Sequence, residues 1–182
     1  GDSPDYVYYE AESKQNLLTG NAVVAGATFC SGAQKVGYVG LGAANRLTFQ
    51  KVGVSEAGWY ELRLFYCTEQ TRKVNVQVNG KDEYTIEQLN SGSFYKPAMA
   101  SIKIKLNEGV NTICFYNNSA YAPDIDRIAI SKNIVKNNDS ASNDEGKKPV
   151  QNVSEKTTQT KVMPSKVSIV KNTASNQNAV YL

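Results

Sequence analysis

Trp59-Tyr60-Glu61-Leu62-Arg63-Leu64-Phe65-Tyr66 alternates with a period of two, so that Tyr60, Leu62, Leu64 and Tyr66 share one face. That period belongs to a strand covered on one side, because successive side chains of an extended chain point to opposite faces. It recurs at residues 72–79, where Val74, Val76 and Val78 point inward before an Asn79-Gly80 turn. Ile102, Ile104 and Leu106 form another inward set, with Lys103 and Lys105 outward; Ile113 and Phe115 follow, and Ile125, Ile128 and Ile130 belong to a closing strand. Further strands are expected over residues 6–13, 22–26, 35–40 and 45–54. No long stretch has helical spacing, and no repeat of solenoid length is visible. About eight short strands between Gly and Asn turns predict an all-β sandwich or jelly roll, which carries function on loops at one end or on an open sheet face.

The chain has 182 residues, enough for one domain and an appendage. The domain is expected over residues 1–132. From 133 to 182 the text turns to Asn, Ser, Thr and Lys with Tyr181 as its sole aromatic residue, which reads as a flexible linker or tail. Residues 1–132 carry 13 basic and 13 acidic side chains and residues 133–182 carry 7 and 4, so the net charge of +3 belongs to the tail. A neutral domain with scattered cations argues against nucleic acid as its ligand. No run approaches the roughly 20 apolar residues of a membrane helix, and no signal-peptide pattern opens the chain, which reads as a piece of a larger secreted polypeptide. Histidine is absent, which excludes imidazole bases and imidazole metal ligands. Cys30, Cys67 and Cys114 fit no metal spacing and read as buried structural thiols; one disulfide is open to them, with three pairings.

Two pairs of carboxylates flank the predicted domain: Glu10 and Glu12 near its start, Asp124 and Asp126 near its end. If each pair is extended, its members point the same way. A sandwich that joins its first and last strands then clusters acidic oxygens, at a cost unless a cation or a donor lies between them. Either these are solvated strand faces or they form a site for a hard cation, calcium above all.

Several stretches taken together resemble family 35 of the carbohydrate-binding modules and, more distantly, family 6. They are Tyr9-Glu10-Ala11-Glu12, residues 32–40, Leu47-Thr48-Phe49, Ala57-Gly58-Trp59-Tyr60, Val78-Asn79-Gly80, Asn111-Thr112-Ile113 and residues 124–128, in an order that covers nearly all of residues 6–132. The resemblance implies a non-catalytic jelly roll attached to an extracellular glycoside-active enzyme. It further implies a structural calcium, with Glu10, Glu12 and Asp126 as side-chain ligands and backbone carbonyls near Gln34 and Lys35 completing the shell. Sugar binding would fall at the loop-rich end. There an aromatic ring covers the apolar face of a pyranose while polar groups meet its rim. Tyr38 is the first such ring, with Phe94 and Tyr121 beside it, Asn117, Asn118 and Asp124 for hydroxyls, and Arg72 for a ring oxygen or an acidic sugar. Each has a plainer reading: half-buried or loop-pinning rings, turn asparagines, a solvated strand start. Phe94 stands where related modules often carry Trp. The neutral charge leans toward galactose or another neutral sugar.

Three functions follow. The first is a module that holds an attached catalytic domain near its glycan. The second is a small glycoside hydrolase using paired carboxylates, which would need them roughly 5–10 Å apart. The third is an adhesion sandwich whose loop rings anchor a protein partner.

Overall fold

The computed structural model describes residues 1–137. The expected tail therefore lies, from residue 138 on, outside the described residues. Eleven strands follow in chain order: β1 (Tyr6–Glu10), β2 (Leu17–Thr19), β3 (Val23–Gly26), β4 (Gln34–Gly37), β5 (Arg46–Val54), β6 (Gly58–Thr68), β7 (Arg72–Val78), β8 (Asp82–Leu89), β9 (Ser93–Leu106), β10 (Gly109–Tyr116) and β11 (Asp124–Ser131). All pairings are antiparallel. One sheet runs β3-β4-β11-β6-β9, with β1 pairing the far half of β11; the other runs β2-β5-β10-β7-β8. This is a β-sandwich of the jelly-roll kind.

The alternation that predicts β6 is the alternation that fills the core. Tyr60, Leu62, Leu64 and Tyr66 are all buried, and they meet Val74, Val76, Val78, Ile113 and Phe115 of the opposite sheet in one cluster. Phe49 and Phe115 meet edge to face at 5.6 Å, a geometry that suits the ring quadrupoles.

More strands form than the sequence reading expects. Strand β2 is only three residues long, and β8 is largely polar and irregular: Gln88 takes a positive φ of 58° where the β7 pairing shifts register. Strand β9 extends back to Ser93 as an edge that tolerates Pro97. The first strand is shorter than expected, ending at Glu10, so Glu12 stands in the following turn. Strand β4 ends at Gly37, which leaves Tyr38 beyond it.

The two ends of the sandwich differ. At one, Lys132 N–H donates to Asp5 O at 2.9 Å and Val135 N–H donates to Trp59 O at 2.7 Å, so the residues just before β1 and just after β11 lie near the start of β6. Trp59 is half-buried there. At the other end β6 reaches Cys67, opposite Asp124, and Thr68, opposite Ser93.

Asn111, 1% exposed, ties the turn after β9 to β5 and β7. Its Oδ1 accepts from Asn107 N–H and Asn79 Nδ2, and its Nδ2 donates to Val52 O, Asn107 O and Gly109 O. Removing this amide strands several buried groups at once. Asn111→Ala is expected to lower the unfolding free energy by about 3 kcal/mol in urea titrations, with little change in the slope of the transition.

Candidate functional site

Three carboxylates meet where β1, β11 and a tight 3-10 turn at Ser31–Ala33 come together. The register between β11 and β6 shifts between Ile125 and Arg127, so Asp126 is the extra residue of a bulge. The bulge explains why Ile125 and Ile128, three apart, both reach the core. It also corrects the expectation that Asp124 and Asp126 share a face. Asp126 is 4% exposed and turns toward the Ser31 turn, whereas Asp124 pairs with Lys35. Glu10 and Glu12 converge from a strand end and a turn rather than from one extended strand, and both reach Gly32. A Cβ on Gly32 would lie 2.5 Å from Glu12 Oε2 and 3.6 Å from Glu10 Oε1, and its φ of +62° favours glycine independently.

The donors facing these oxygens are few. The Ser31 hydroxyl donates to Glu10 Oε2 at 2.6 Å and the Ser31 N–H to Asp126 Oδ2 at 3.3 Å. Glu10 Oε1, Glu12 Oε1 and Asp126 Oδ1 are buried without any hydrogen-bond partner. Burial, and behind it the Glu10 charge, pushes the Asp126 carboxyl up to about 6; burial and the charges of Glu10 and Asp126 raise Glu12. Among the described residues, no group of three or more acidic or cysteine side chains is drawn together closely enough to hold a metal ion. Carboxylate oxygens buried without donors are the kind of atom that hard cations take. Gln34 and Lys35, expected to lend carbonyls, open β4 and pair with Gly26 and Ala25.

The loop end holds most of the residues expected at a sugar cleft. Tyr38 is 60% exposed although its φ is +61°, a conformation that bulky side chains rarely adopt. Its ring meets Tyr121 edge to face at 5.9 Å. The two loops are laced together: Ala122 N–H donates to Val39 O, Leu41 N–H to Ala120 O and Gly42 N–H to Asn117 O. Arg72, at the start of β7, lies 5.0 Å from the Phe94 ring and 5.6 Å from Tyr121, and donates to Ala122 O and Gln70 Oε1. Phe94 is the second residue of β9 rather than a loop residue. Asp124 accepts from Lys35 Nζ at 2.8 Å, and Lys35 also donates to Phe94 O.

Asn117 and Asn118 part company. Asn118 is exposed. Asn117 is 1% exposed; its Nδ2 donates to Lys73 O and its Oδ1 accepts from the N–H groups of Ser119 and Ala120. It shapes the loop and has no free edge toward the cleft.

Several contributors escape the sequence reading. Lys35 is buried among Phe29, Phe94 and Tyr95 at 5.2–5.9 Å from each ring, and Tyr95 is 73% exposed. Ser31 holds two of the three carboxylates. None stands out in the sequence, because a lysine on a strand or a serine in a turn is ordinary. An open groove of about 500 Å³ lined by Trp59, Lys81, Asp82, Glu83, Tyr84 and Lys105 lies at the other end and gathers none of these groups.

No protein-family profile matches the chain, and no curated protein sequence does. Solved structures do. A family 35 carbohydrate-binding module from Clostridium thermocellum is 36% identical with a TM-score of 0.67, the match covering 69% of this chain and 98% of that one. An exo-β-1,3-galactanase from Phanerochaete chrysosporium, solved with galactose, is 30% identical with a TM-score of 0.63 over 71% of this chain; the match spans 30% of the galactanase. A family 35 module from Paenibacillus barcinonensis, 22% identical with a TM-score of 0.62, shares the fold over 99% of its length. The fold, the ordered motifs and an end-to-end match at this identity lead to one assignment: the chain belongs to family 35 of the carbohydrate-binding modules, which are non-catalytic.

Proposed function

We propose that the cleft built on Tyr38, Tyr121 and Arg72 binds a neutral, galactose-containing glycan, and that calcium occupies the Glu10, Glu12 and Asp126 cradle. The carrying observation is Tyr38, a large ring kept in solvent on a left-handed backbone. Strain of that kind persists where surrounding structure enforces it, and it concentrates at binding sites. Tyr121 meets the ring edge to face with Arg72 stacked on Tyr121 in turn, and exposed Asn118 supplies a polar rim. Asp124 is already ion-paired with Lys35, so it meets a hydroxyl as an oriented acceptor. Lys35 is neutralised in this way and residues 1–132 carry equal numbers of acidic and basic side chains, so the domain's charge does not call for an acidic sugar; the galactanase solved with galactose supports a neutral one.

Calcium would take the three orphaned oxygens and supply the positive charge they lack, with no part in chemistry on the sugar. In biological terms the module would be secreted and would hold an attached glycoside-active domain at its polysaccharide. Shallow sugar sites give micromolar to millimolar dissociation constants, and tethering raises the local concentration of the attached domain.

Tyr38→Asn keeps a residue tolerant of the left-handed region, so folding is expected to be preserved. Calorimetric titration with β-1,3-galactobiose should then show at least about a tenfold loss of affinity. Equal affinity for the substituted and unsubstituted proteins would defeat the cleft assignment.

Calcium at a hundred times its dissociation constant should add about 2.7 kcal/mol of stability, seen as a higher melting temperature that chelator removes and Asp126→Ala no longer shows. In chelator, Asp126 holds its proton to about 6 in the folded state against 3.8 unfolded, so its contribution to stability is lost as pH rises from about 4 to about 6. Saturating calcium should abolish that decline, because it favours the ionised form. Melting temperatures across this pH range, with and without calcium, check both points.

A further inference from the structure

The turn that holds the carboxylate cradle is closed by backbone hydrogen bonds, Ala27 N–H to Ala33 O, Cys30 N–H to Ala27 O and Ala33 N–H to Cys30 O, and one side of it packs on a second, smaller core. Ala27, Cys30 and Cys67 form a small buried cluster apart from the main core, with Phe29 packed against it. Cys30 Sγ and Cys67 Sγ lie 3.9 Å apart, although 37 residues separate them in the chain. Both are buried free thiols; Cys114, the third, is on β10 in the opposite sheet.

We propose that Cys30 and Cys67 are the two ends of an intrachain disulfide, formed as the domain folds under oxidising conditions, which staples the cradle turn to the end of β6. An S–S bond is about 2.05 Å long, so the sulfurs need to approach by roughly 2 Å. Cys30 immediately precedes Ser31, which holds Glu10 and Asp126, and Cys67 lies opposite Asp124 in the β11 register. One bond would therefore fix the turn behind the cradle to the strand beside the cleft. An oxidising compartment rests on the secreted role proposed above; the proximity of the thiols does not.

The oxidant is a low-molecular-weight disulfide such as oxidised glutathione. One cysteine thiolate attacks it and expels a thiolate; the second then displaces the remaining half from the mixed disulfide. The Sγ–Sγ bond forms as the reagent's S–S bond breaks. Two electrons pass to the reagent, and the two cysteine protons end on its two released thiols. Burial holds both cysteines above the ordinary thiol range, so the thiolate is scarce once the domain has closed. Exchange therefore belongs to folding, and the finished bond is shielded from reductant.

The test refolds the full chain in a glutathione redox buffer, denatures it under non-reducing conditions, alkylates it and maps its peptides by mass spectrometry. The expected map contains a Cys30–Cys67 linked peptide and alkylation at Cys114 alone. Reductant should lower the melting temperature on the order of 10 °C, both in calcium and in chelator, so that failure of the calcium reading remains distinct. Cys67→Ser should remove the response to reductant and Cys114→Ser should retain it. Three alkylated cysteines, a bridge engaging Cys114, or a melting temperature indifferent to reductant would overturn the proposal; if a variant fails to fold, the map of the unsubstituted protein decides.

Discussion

The convergence of three carboxylates at a strand bulge constrains the architecture around it. Like charges close together in a partly dry site raise each other's pKa and disfavour the folded state unless something opposes them. Here the opposing groups are one serine hydroxyl, one backbone N–H and the more distant Arg127. The conformations of the surrounding chain all serve this meeting point. Strand β1 stops at Glu10, Gly32 gives up a side chain to admit two carboxylates, and the bulge turns Asp126 inward.

Asp126 of the cradle and Asp124, ion-paired with Lys35, are two residues apart on β11. Ile125 stands between them and pairs with Val36 of β4. Because the pleat sends neighbours to opposite faces and the bulge resets the count, one short strand serves two sites without mixing their charges. The platform of the cleft is a stack: Phe94 and Tyr121 hold the Arg72 guanidinium, and Tyr121 backs Tyr38. Cation–π contacts of this kind fix a ring's orientation while leaving its outer face bare.

Much of this was legible before any coordinates. Period-two alternation marks β6, β7 and β10 because each has one face in the core and one in solvent. It fails for β8, where polar residues and a kink at Gln88 hide Tyr84 and Ile86, and for β2, which is too short to show a period. Glu10, Glu12 and Asp126 approach the Ser31–Ala33 turn by a route that the spacing does not suggest. A bulge and a turn leave no signature in spacing counted along ideal strands. Asn117 shows the opposite limit, since a turn asparagine reads alike whether its amide faces a ligand or is spent on its own loop. Lys35 becomes visible only when the fold places three rings and Asp124 around it.

The residues that flank the first and last strands adjoin near the start of β6, where Asp5 bonds Lys132 and Trp59 bonds Val135. Tyr38 and its neighbours sit past the other end of that eleven-residue strand, about 35 Å away at the usual rise. A unit with adjoining entry and exit can be spliced into a loop of an unrelated host as readily as it can be appended to either terminus. In each arrangement residues 5 and 132 leave the sandwich at the Trp59 end, and Tyr38 and its neighbours stay at the opposite end.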